Sequence, residues 1–240
     1  TVLEPWAQRF DFIVSIGMIG SSIGLFETKF SKIPIDLNGV VKSLIKVPDI
    51  NPALYIIPGV QKLGDVMRGE ESQTLASGLK DGIVVLPGTH SKWVMLEKSV
   101  IVDFRTFFTG ELFELLRNHS TLSKATNSSE RLKFSSEFVS GLDANSDELT
   151  HNLFSIRASW LQGKSEDASR EYLSGLLIGA EIKSARKWCN VSEVLIIASE
   201  SLTEIYTKSL AHFGISAREK SPDELIDYFV EIAKKLEYQI

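Results

Sequence analysis

The sequence predicts a mixed-sheet α/β protein, and three observations carry that prediction. Three β-rich runs, Ile83–Leu86, Trp93–Leu96 and Val100–Phe104, follow one another closely, the first two joined by a tight turn over Pro87–His90. Short apolar runs stopped by Pro and Gly read as strands of a meander. Farther on, Val194–Ala198, Leu202–Phe213, Ile215–Ala217 and Glu224–Leu236 alternate strand, helix, strand, helix, the pattern of a parallel pair joined by a right-handed crossover. Finally, 240 residues with 43% hydrophobic and 24% charged content suffice for two compact lobes or one large α/β domain. A meander followed by a crossover is an α/β lobe with a mixed sheet.

The remaining elements follow in chain order. Phe12–Ile16 is a short β-rich run that ends in the glycine-rich loop Gly17–Gly24. Pro34, Pro48 and Pro52 break up residues 25–53, and Tyr55–Ile57 is a strand stopped by Pro58-Gly59. Glu71–Leu79 suits a short helix. Thr109 is the expected N-cap of a helix carrying Leu112, Phe113, Leu115 and Leu116, because its hydroxyl can accept from a first-turn N–H. Residues 120–146 read as loop with one short helix near Phe134, and Glu148–Leu161 has apolar residues at helical spacing. The strongest helix is Glu171–Trp188, with Leu173, Leu176, Leu177, Ala180 and Ala185 on one face. Gly175 and Gly179, four apart, let another element approach closely. There is no internal repeat and no low-complexity tract.

Composition excludes several function classes. The net charge of −5, with Lys and Arg dispersed among acids, provides no concentrated basic face for nucleic acid or an anionic membrane. No apolar run reaches the length of a membrane span. The single cysteine, Cys189, rules out an intrachain disulfide and points to the cytoplasm. The sequence opens on Thr1 with neither Met nor a signal-peptide pattern, and so reads as a piece lacking its start. The four histidines, His90, His119, His151 and His212, are scattered, which argues against zinc, and no metal-ligating residue is assigned. Trp160 and Trp188 read as exposed aromatics that would permit a homodimer interface.

Four segments carry residues suited to chemistry. Gly20-Ser-Ser-Ile-Gly24 fits the nucleophile-elbow pattern with Ser22 as nucleophile, although a plain Gly/Ser turn at a strand end is the commoner source of such a match. Arg68-Gly-Glu-Glu-Ser-Gln73 sets a fixed positive charge beside two carboxylates. An arginine can grip a carboxylate in two places, and a glutamate can take a proton from a hydroxyl nucleophile. The plain alternative is a solvated helix start whose acids favour the dipole. Leu86-Pro-Gly-Thr-His-Ser-Lys-Trp93 is a turn in which Gly88 frees the backbone, Thr89 and Ser91 add hydroxyls and Lys92 adds charge. Such a turn can cradle phosphate, or it can be only a hairpin. Asp103 and Arg105 stand at a strand end, where they could pair with each other, and Arg157 could be a surface charge.

Taken in order, these segments form one pattern. Gly17-Met-Ile-Gly-Ser21, Ile57-Pro-Gly59, Val66-Met-Arg-Gly-Glu-Glu-Ser-Gln73, Leu86-Pro-Gly-Thr-His-Ser-Lys-Trp-Val94, Asp103-Phe-Arg-Thr106, Thr109-Gly-Glu-Leu112, Asn118-His-Ser120, Ile156-Arg-Ala-Ser159 and Leu173-Ser-Gly-Leu-Leu-Ile-Gly-Ala-Glu181 resemble the 2-dehydro-3-deoxygalactonokinase family from about residue 12 to about residue 212. The resemblance implies a two-lobed, actin-like (ribonuclease H-like) sugar kinase fold. Residues 1–80 would be the remainder of an N-terminal sugar-binding lobe, and residues 81–240 the C-terminal nucleotide-binding lobe. It implies phosphorylation of the terminal hydroxyl of 2-dehydro-3-deoxy-D-galactonate by Mg2+ and ATP, giving the 6-phosphate, a step of galactonate catabolism. Glu70 falls where related sugar kinases hold the general base, with Glu71 as its substitute. Gly17, Met18 and Ser21 look like the sugar-facing loop, and Arg68, Arg105 and Arg157 are candidates for the substrate carboxylate. Gly88, Thr89, His90, Ser91 and Lys92 resemble the second phosphate hairpin of the superfamily. Ala198–Thr203, with Ser199 and Ser201, looks like the adenosine-binding segment.

The sequence also departs from the family. No Asp-x-Gly-x-Thr hairpin precedes Phe12, so the first lobe is expected to be incomplete in this chain. Ser199-Glu200 stands where the family prefers Gly-Thr, and Leu225, Ile226 and Tyr228 are bulky where small residues are usual. A degenerate, non-catalytic sugar-acid-binding protein is therefore the alternative expectation, with a Ser22 hydrolase behind it.

Overall fold

The structure, a computed structural model, describes residues 12–222 and 226–237. Its strands are β1 (Phe12–Ser15), β2 (Ser31–Lys32), β3 (Ile45–Lys46), β4 (Ala53–Ile56), β5 (Val60–Lys62), β6 (Asp65–Met67), β7 (Gly82–Leu86), β8 (Ser91–Glu97), β9 (Val100–Phe107), β10 (Glu193–Ile197) and β11 (Ser216–Lys220). Its α-helices are α1 (Leu37–Ser43), α2 (Glu70–Ala76), α3 (Thr109–His119), α4 (Ser136–Asp143), α5 (Leu149–Leu161), α6 (Glu166–Cys189), α7 (Glu200–His212) and α8 (Ile226–Glu237). One sheet has five strands in the order β11-β10-β7-β8-β9, and two others have three strands each, β1-β4-β3 and β2-β5-β6. The mixed α/β class read from the sequence therefore holds. The chain divides into two compact units, one from the chain up to Val84, Val94–Thr106 and the chain from Lys220 onward, the other from Val85–Trp93 and Phe107–Glu219.

In the first unit, β1 runs parallel to β4, and β3 runs antiparallel to β4. The buried side chains Val47, Leu54 and Ile56 form a small core with Ile13, Ile19, Phe26 and Ile50 packed against it. β5 pairs with both β2 and β6, and an isolated bridge joins Ile35 to Ile101. Asp36 starts α1 by accepting the Gly39 N–H at 2.8 Å, which satisfies one donor of the open helix end. The Pro-broken stretch 25–53 thus contains β2, α1 and β3, none of which the sequence reading resolved. Asp103 takes Lys62 as ion-pair partner at 2.5 Å.

The second unit is organised around α6. Ser165 caps its start by accepting the Ala168 N–H, and Asn190 ends it in the left-handed conformation at φ 39°. Its 24 residues span about 36 Å at the usual rise per residue. The glycines do what their spacing promised. A Cβ on Gly175 would stand 2.0 Å from the Phe138 carbonyl oxygen, one on Gly179 2.6 Å from the Leu142 oxygen, and one on Gly141 2.3 Å from the Tyr172 oxygen. α4 and α6 therefore touch backbone to backbone. Another face of α6 supplies Leu173 and Leu177 to a core with Leu122, Ala125 and Ile156.

Two expectations need correction and one holds. Thr109 is the first residue of α3 and not its cap; Phe108 holds the cap position without a side-chain bond, because the Thr109 hydroxyl donates to Glu181 instead. The short helix expected near Phe134 is present as α4, with Ser135 as its cap. Trp160 packs against the Leu173 core and is not an exposed aromatic, while Trp188 is half-buried.

Candidate active site

The first unit gathers most of the sugar-side candidates around the start of α2. β1 ends at Ser15 and the chain turns through Gly17 at φ +76°, a conformation that favours glycine. Ser21 closes the turn by donating to the Met18 carbonyl at 2.7 Å, and the Met18 side chain is 60% exposed. Arg68 fastens this loop from below. Its Nη1 donates to the Gly20 carbonyl at 2.5 Å and to Thr28 Oγ1 at 2.8 Å, its Nη2 donates to the Thr28 carbonyl at 3.3 Å, and the guanidinium lies 4.3 Å from the Phe30 ring centroid. Gly69 follows at φ +110°, where an added Cβ would touch Gly17 Cα at 3.4 Å. The loop and the start of α2 are therefore neighbours.

Two adjacent carboxylates open α2 and meet different environments. Glu70 is half-buried and accepts the Arg68 N–H at 2.9 Å. Glu71 is wholly buried and accepts the Gly69 N–H at 2.7 Å and the Ser72 hydroxyl at 3.0 Å. The Arg68 and Gly69 N–H groups served in this way precede the helix, and both carboxylates sit at the positive end of its dipole. Burial pushes the Glu71 carboxyl up to about 7 against these hydrogen bonds, with a smaller upward push from Glu70. Arg105, also in this unit, stands exposed on β9. Ser22 lies exposed in a turn followed by bends and coil, and no helix succeeds it before α1. The strand–turn–helix support of a nucleophile elbow is absent there.

The second unit gathers the phosphate-side candidates. The 87–90 turn docks on the start of α3. The Glu111 N–H donates to the Thr89 carbonyl at 2.9 Å, His90 Nε2 pairs with Glu111 at 2.5 Å, and the His90 ring stacks on Phe108 at 5.4 Å. Gly110 permits this approach, since a Cβ there would stand 2.3 Å from the Gly88 carbonyl. Gly88 itself faces open space, with nothing within 4 Å of an added Cβ. Beside it lies a cavity of about 840 Å3. Gly88 and Thr89 line it together with Leu177 and Ile178 of α6 and Ser201 and Leu202 of α7. That volume lies in the range of small-molecule sites.

Other candidates in this unit do not line the cavity. Ser91 is fully buried and donates to Glu181 at 2.7 Å, while Lys92 is 3% exposed and donates to the His90 carbonyl at 2.9 Å. Ser199 holds the cap position of α7, with its hydroxyl 3.5 Å from that of Ser201. Arg157 on α5 donates to the Thr121 carbonyl at 2.9 Å. The residue that the sequence reading undervalued is Glu181. Its signal was present, because a carboxylate four residues after Leu177 sits where the apolar stripe of α6 calls for a hydrophobe. Glu111, Thr28 and Tyr206 carried no comparable signal.

Comparisons with known proteins place this chain. The model of the family described as 2-keto-3-deoxy-galactonokinase matches residues 1–228. The 2-dehydro-3-deoxygalactonokinase of Escherichia coli (strain K12) is 34% identical over 223 residues, which cover 89% of this chain and 75% of the relative. A crystal structure titled "putative 2-dehydro-3-deoxygalactonokinase protein from Sinorhizobium meliloti" superposes with a TM-score of 0.87 at 32% identity, covering 93% of this chain and 77% of that one. The chain belongs to the 2-keto-3-deoxy-galactonokinase family, and its enzymatic class is that of a kinase.

Proposed function

We propose that this chain transfers the γ-phosphoryl group of ATP to the terminal hydroxyl of 2-dehydro-3-deoxy-D-galactonate, giving the 6-phosphate within galactonate catabolism. The observation that carries this reading is the cavity bounded by Gly88, Thr89 and Ser201, which offers a glycine backbone and hydroxyls to phosphates and apolar walls to a nucleobase. Phosphoryl transfer asks the protein for alignment and charge neutralisation more than for covalent chemistry. Thr89 would face the ATP phosphates. Ser201 and the cap residue Ser199 would border the nucleoside, with His90, Ser91 and Lys92 shaping the turn that carries Thr89. Among the described residues no three of His, Cys, Asp and Glu stand together as metal ligands; Mg2+ would arrive with ATP as the Mg·ATP substrate.

On the sugar side, Glu70 takes the proton of the attacking hydroxyl, and Glu71 is the substitute. The Gly17–Ser21 loop, with Met18 exposed at its tip, would receive the sugar chain. Of the three arginines, Arg68 is already committed to Gly20 and Thr28 and is best suited to hold the loop. Arg105 and Arg157 remain the candidates for the substrate carboxylate. The reading includes the actin-like division into a sugar-binding lobe over residues 1–80 and a nucleotide-binding lobe over residues 81–240. No described helix is long and apolar enough to cross a membrane, and the proposed compartment is the cytoplasm. The test is ADP release coupled to a chromogenic readout with this sugar acid. Turnover dependent on both substrates is expected. Sugar-acid binding without ADP release would replace the kinase reading with that of a non-catalytic binder.

A further inference from the structure

Glu181 is the most heavily hydrogen-bonded side chain of the second unit, and it lies outside the site just assigned. It is 2% exposed. Its Oε1 accepts from the Ser91 hydroxyl at 2.7 Å and from Trp93 Nε1 at 2.9 Å, and its Oε2 accepts from the Thr109 hydroxyl at 2.5 Å and the Tyr206 hydroxyl at 3.0 Å. A carboxylate has about four lone-pair positions, and here each is used. Burial raises this carboxyl above the usual range, and the four donors offset only part of that rise. Trp93 can only donate, so its N–H requires an acceptor at this point.

The donors come from three different elements, and each stands next to a wall of the cavity. Ser91 and Trp93 begin β8, directly after the turn that holds Gly88 and Thr89. Thr109 begins α3, the helix whose Gly110 and Glu111 seat that turn. Tyr206 lies one turn after Ser201 and Leu202 on α7. Thr109 and Tyr206 also line the cavity themselves. One carboxylate on α6 thus fixes the distance between the turn and α7, both of which line the cavity. A purely apolar contact would hold these elements together without the desolvation penalty of a buried acid. What the carboxylate adds is direction, because each hydrogen bond fixes an orientation as well as a distance.

We propose that Glu181 is a positioning residue for the nucleotide, setting the Gly88–Lys92 turn and α7 at the separation that Mg·ATP requires. This rests on the reading of the cavity as the nucleotide site. The experiment uses the full chain and Mg·ATP as probe, with calorimetric binding, KM for each substrate, and thermal melting measured for wild type, Glu181→Gln and Tyr206→Phe. Glutamine can keep the network closed. Its oxygen can serve Ser91 and Trp93, and its amide can donate to the Thr109 and Tyr206 hydroxyls, which turn to accept. The carboxylate's bonds to Thr109, at 2.5 Å, and to Tyr206, at 3.0 Å, are lost, and charge-assisted bonds are about twice as strong as neutral ones.

Glu181→Gln is therefore expected to weaken Mg·ATP binding and raise its KM by about tenfold, with the sugar-acid KM within about twofold and the melting temperature close to wild type. Tyr206→Phe, which removes one of four donors, should move the same quantities by roughly threefold. Should the Gln variant fail to fold, Tyr206→Phe decides alone. Mg·ATP binding and KM at wild-type values in a folded variant would overturn the proposal. So would equal changes in both KM values accompanied by a fall in melting temperature, the mark of a merely structural contact. A wild type that binds Mg·ATP without phosphorylating the sugar acid would overturn the kinase reading alone, since binding still compares the variants. A wild type that does not bind Mg·ATP would overturn both.

Discussion

Glu70 and Glu71 are chemically identical neighbours whose surroundings separate their behaviour. Glu70 is half-buried at the start of α2, near a loop held by Arg68. If it is the base, Glu70→Gln should lower kcat by about a hundredfold or more while leaving substrate binding nearly intact. Steady-state kinetics with both substrates checks this, and an unchanged kcat would transfer the role to Glu71. Glu71 makes a separate prediction about stability. Its folded carboxyl titrates at about 7 against a usual 4.5, so between those values the folded chain holds a proton that the unfolded chain has released. Stability from this group is complete below about pH 4.5 and is lost as pH rises to about 7, a fall of about 3 kcal/mol. The groups facing it are Glu70 and the buried Tyr228 of α8, whose own hydroxyl is pushed up, first by burial and then by the Glu71 charge. Glu71→Gln, which imitates the protonated acid, should flatten denaturant-derived stability across this window. A slope equal to that of wild type would refute the assignment.

The contact of α4 with α6 shows how an element can be legible in part. Gly175 must lack a side chain, because a Cβ would stand 2.0 Å from one carbonyl oxygen and 2.9 Å from its carbon. Both obstacles are backbone and cannot rotate away. Gly175→Ala should therefore cost about 3 kcal/mol, at the upper end for overpacking, and lower the melting temperature by roughly 10 °C. A variant that melts like wild type would mean that the helices are not in backbone contact. The sequence disclosed the requirement, through glycines at helical spacing on a strongly periodic helix, but not the partner, since α4 lies in a polar stretch with little pattern of its own. The elements that escaped notice share a cause. β2 and β3 have two residues each, and β5 and β6 three, too few for any periodicity. α1 is seven residues long and interrupted by Gly39. Thr109 escaped for another reason, because a hydroxyl suited to capping its own helix was claimed by a residue 72 positions away.

At the scale of the molecule, the sequence motifs sort cleanly between the two units, and the side-chain directions are what the motifs concealed. Gly17, Met18, Ser21, Arg68, Glu70, Glu71 and Arg105 belong to the first unit, and Gly88 to Lys92, Arg157, Ser199 and Ser201 to the second. A motif gives order along the chain but not whether a residue lines a cavity, as Thr89 does, or turns its hydroxyl to a buried acid, as Ser91 does. The sorting leads to a last prediction. If the two substrates use the two groups of residues as proposed, each should protect a different set of backbone amides from hydrogen exchange. A ligand that binds the folded state stabilises it locally, so with Mg·ATP exchange should slow over residues 88–93, 109–119 and 200–206. The sugar acid should instead slow exchange over residues 17–30 and 68–76. The amides of α4 line neither group and should respond to neither ligand. Peptide-resolved exchange of the full chain with each ligand alone measures this. Sugar-acid protection confined to residues 88–93 and 200–206 would reverse the assignment of the two sites. Protection by Mg·ATP over residues 17–30 alone would leave the cavity of the second unit without its proposed occupant.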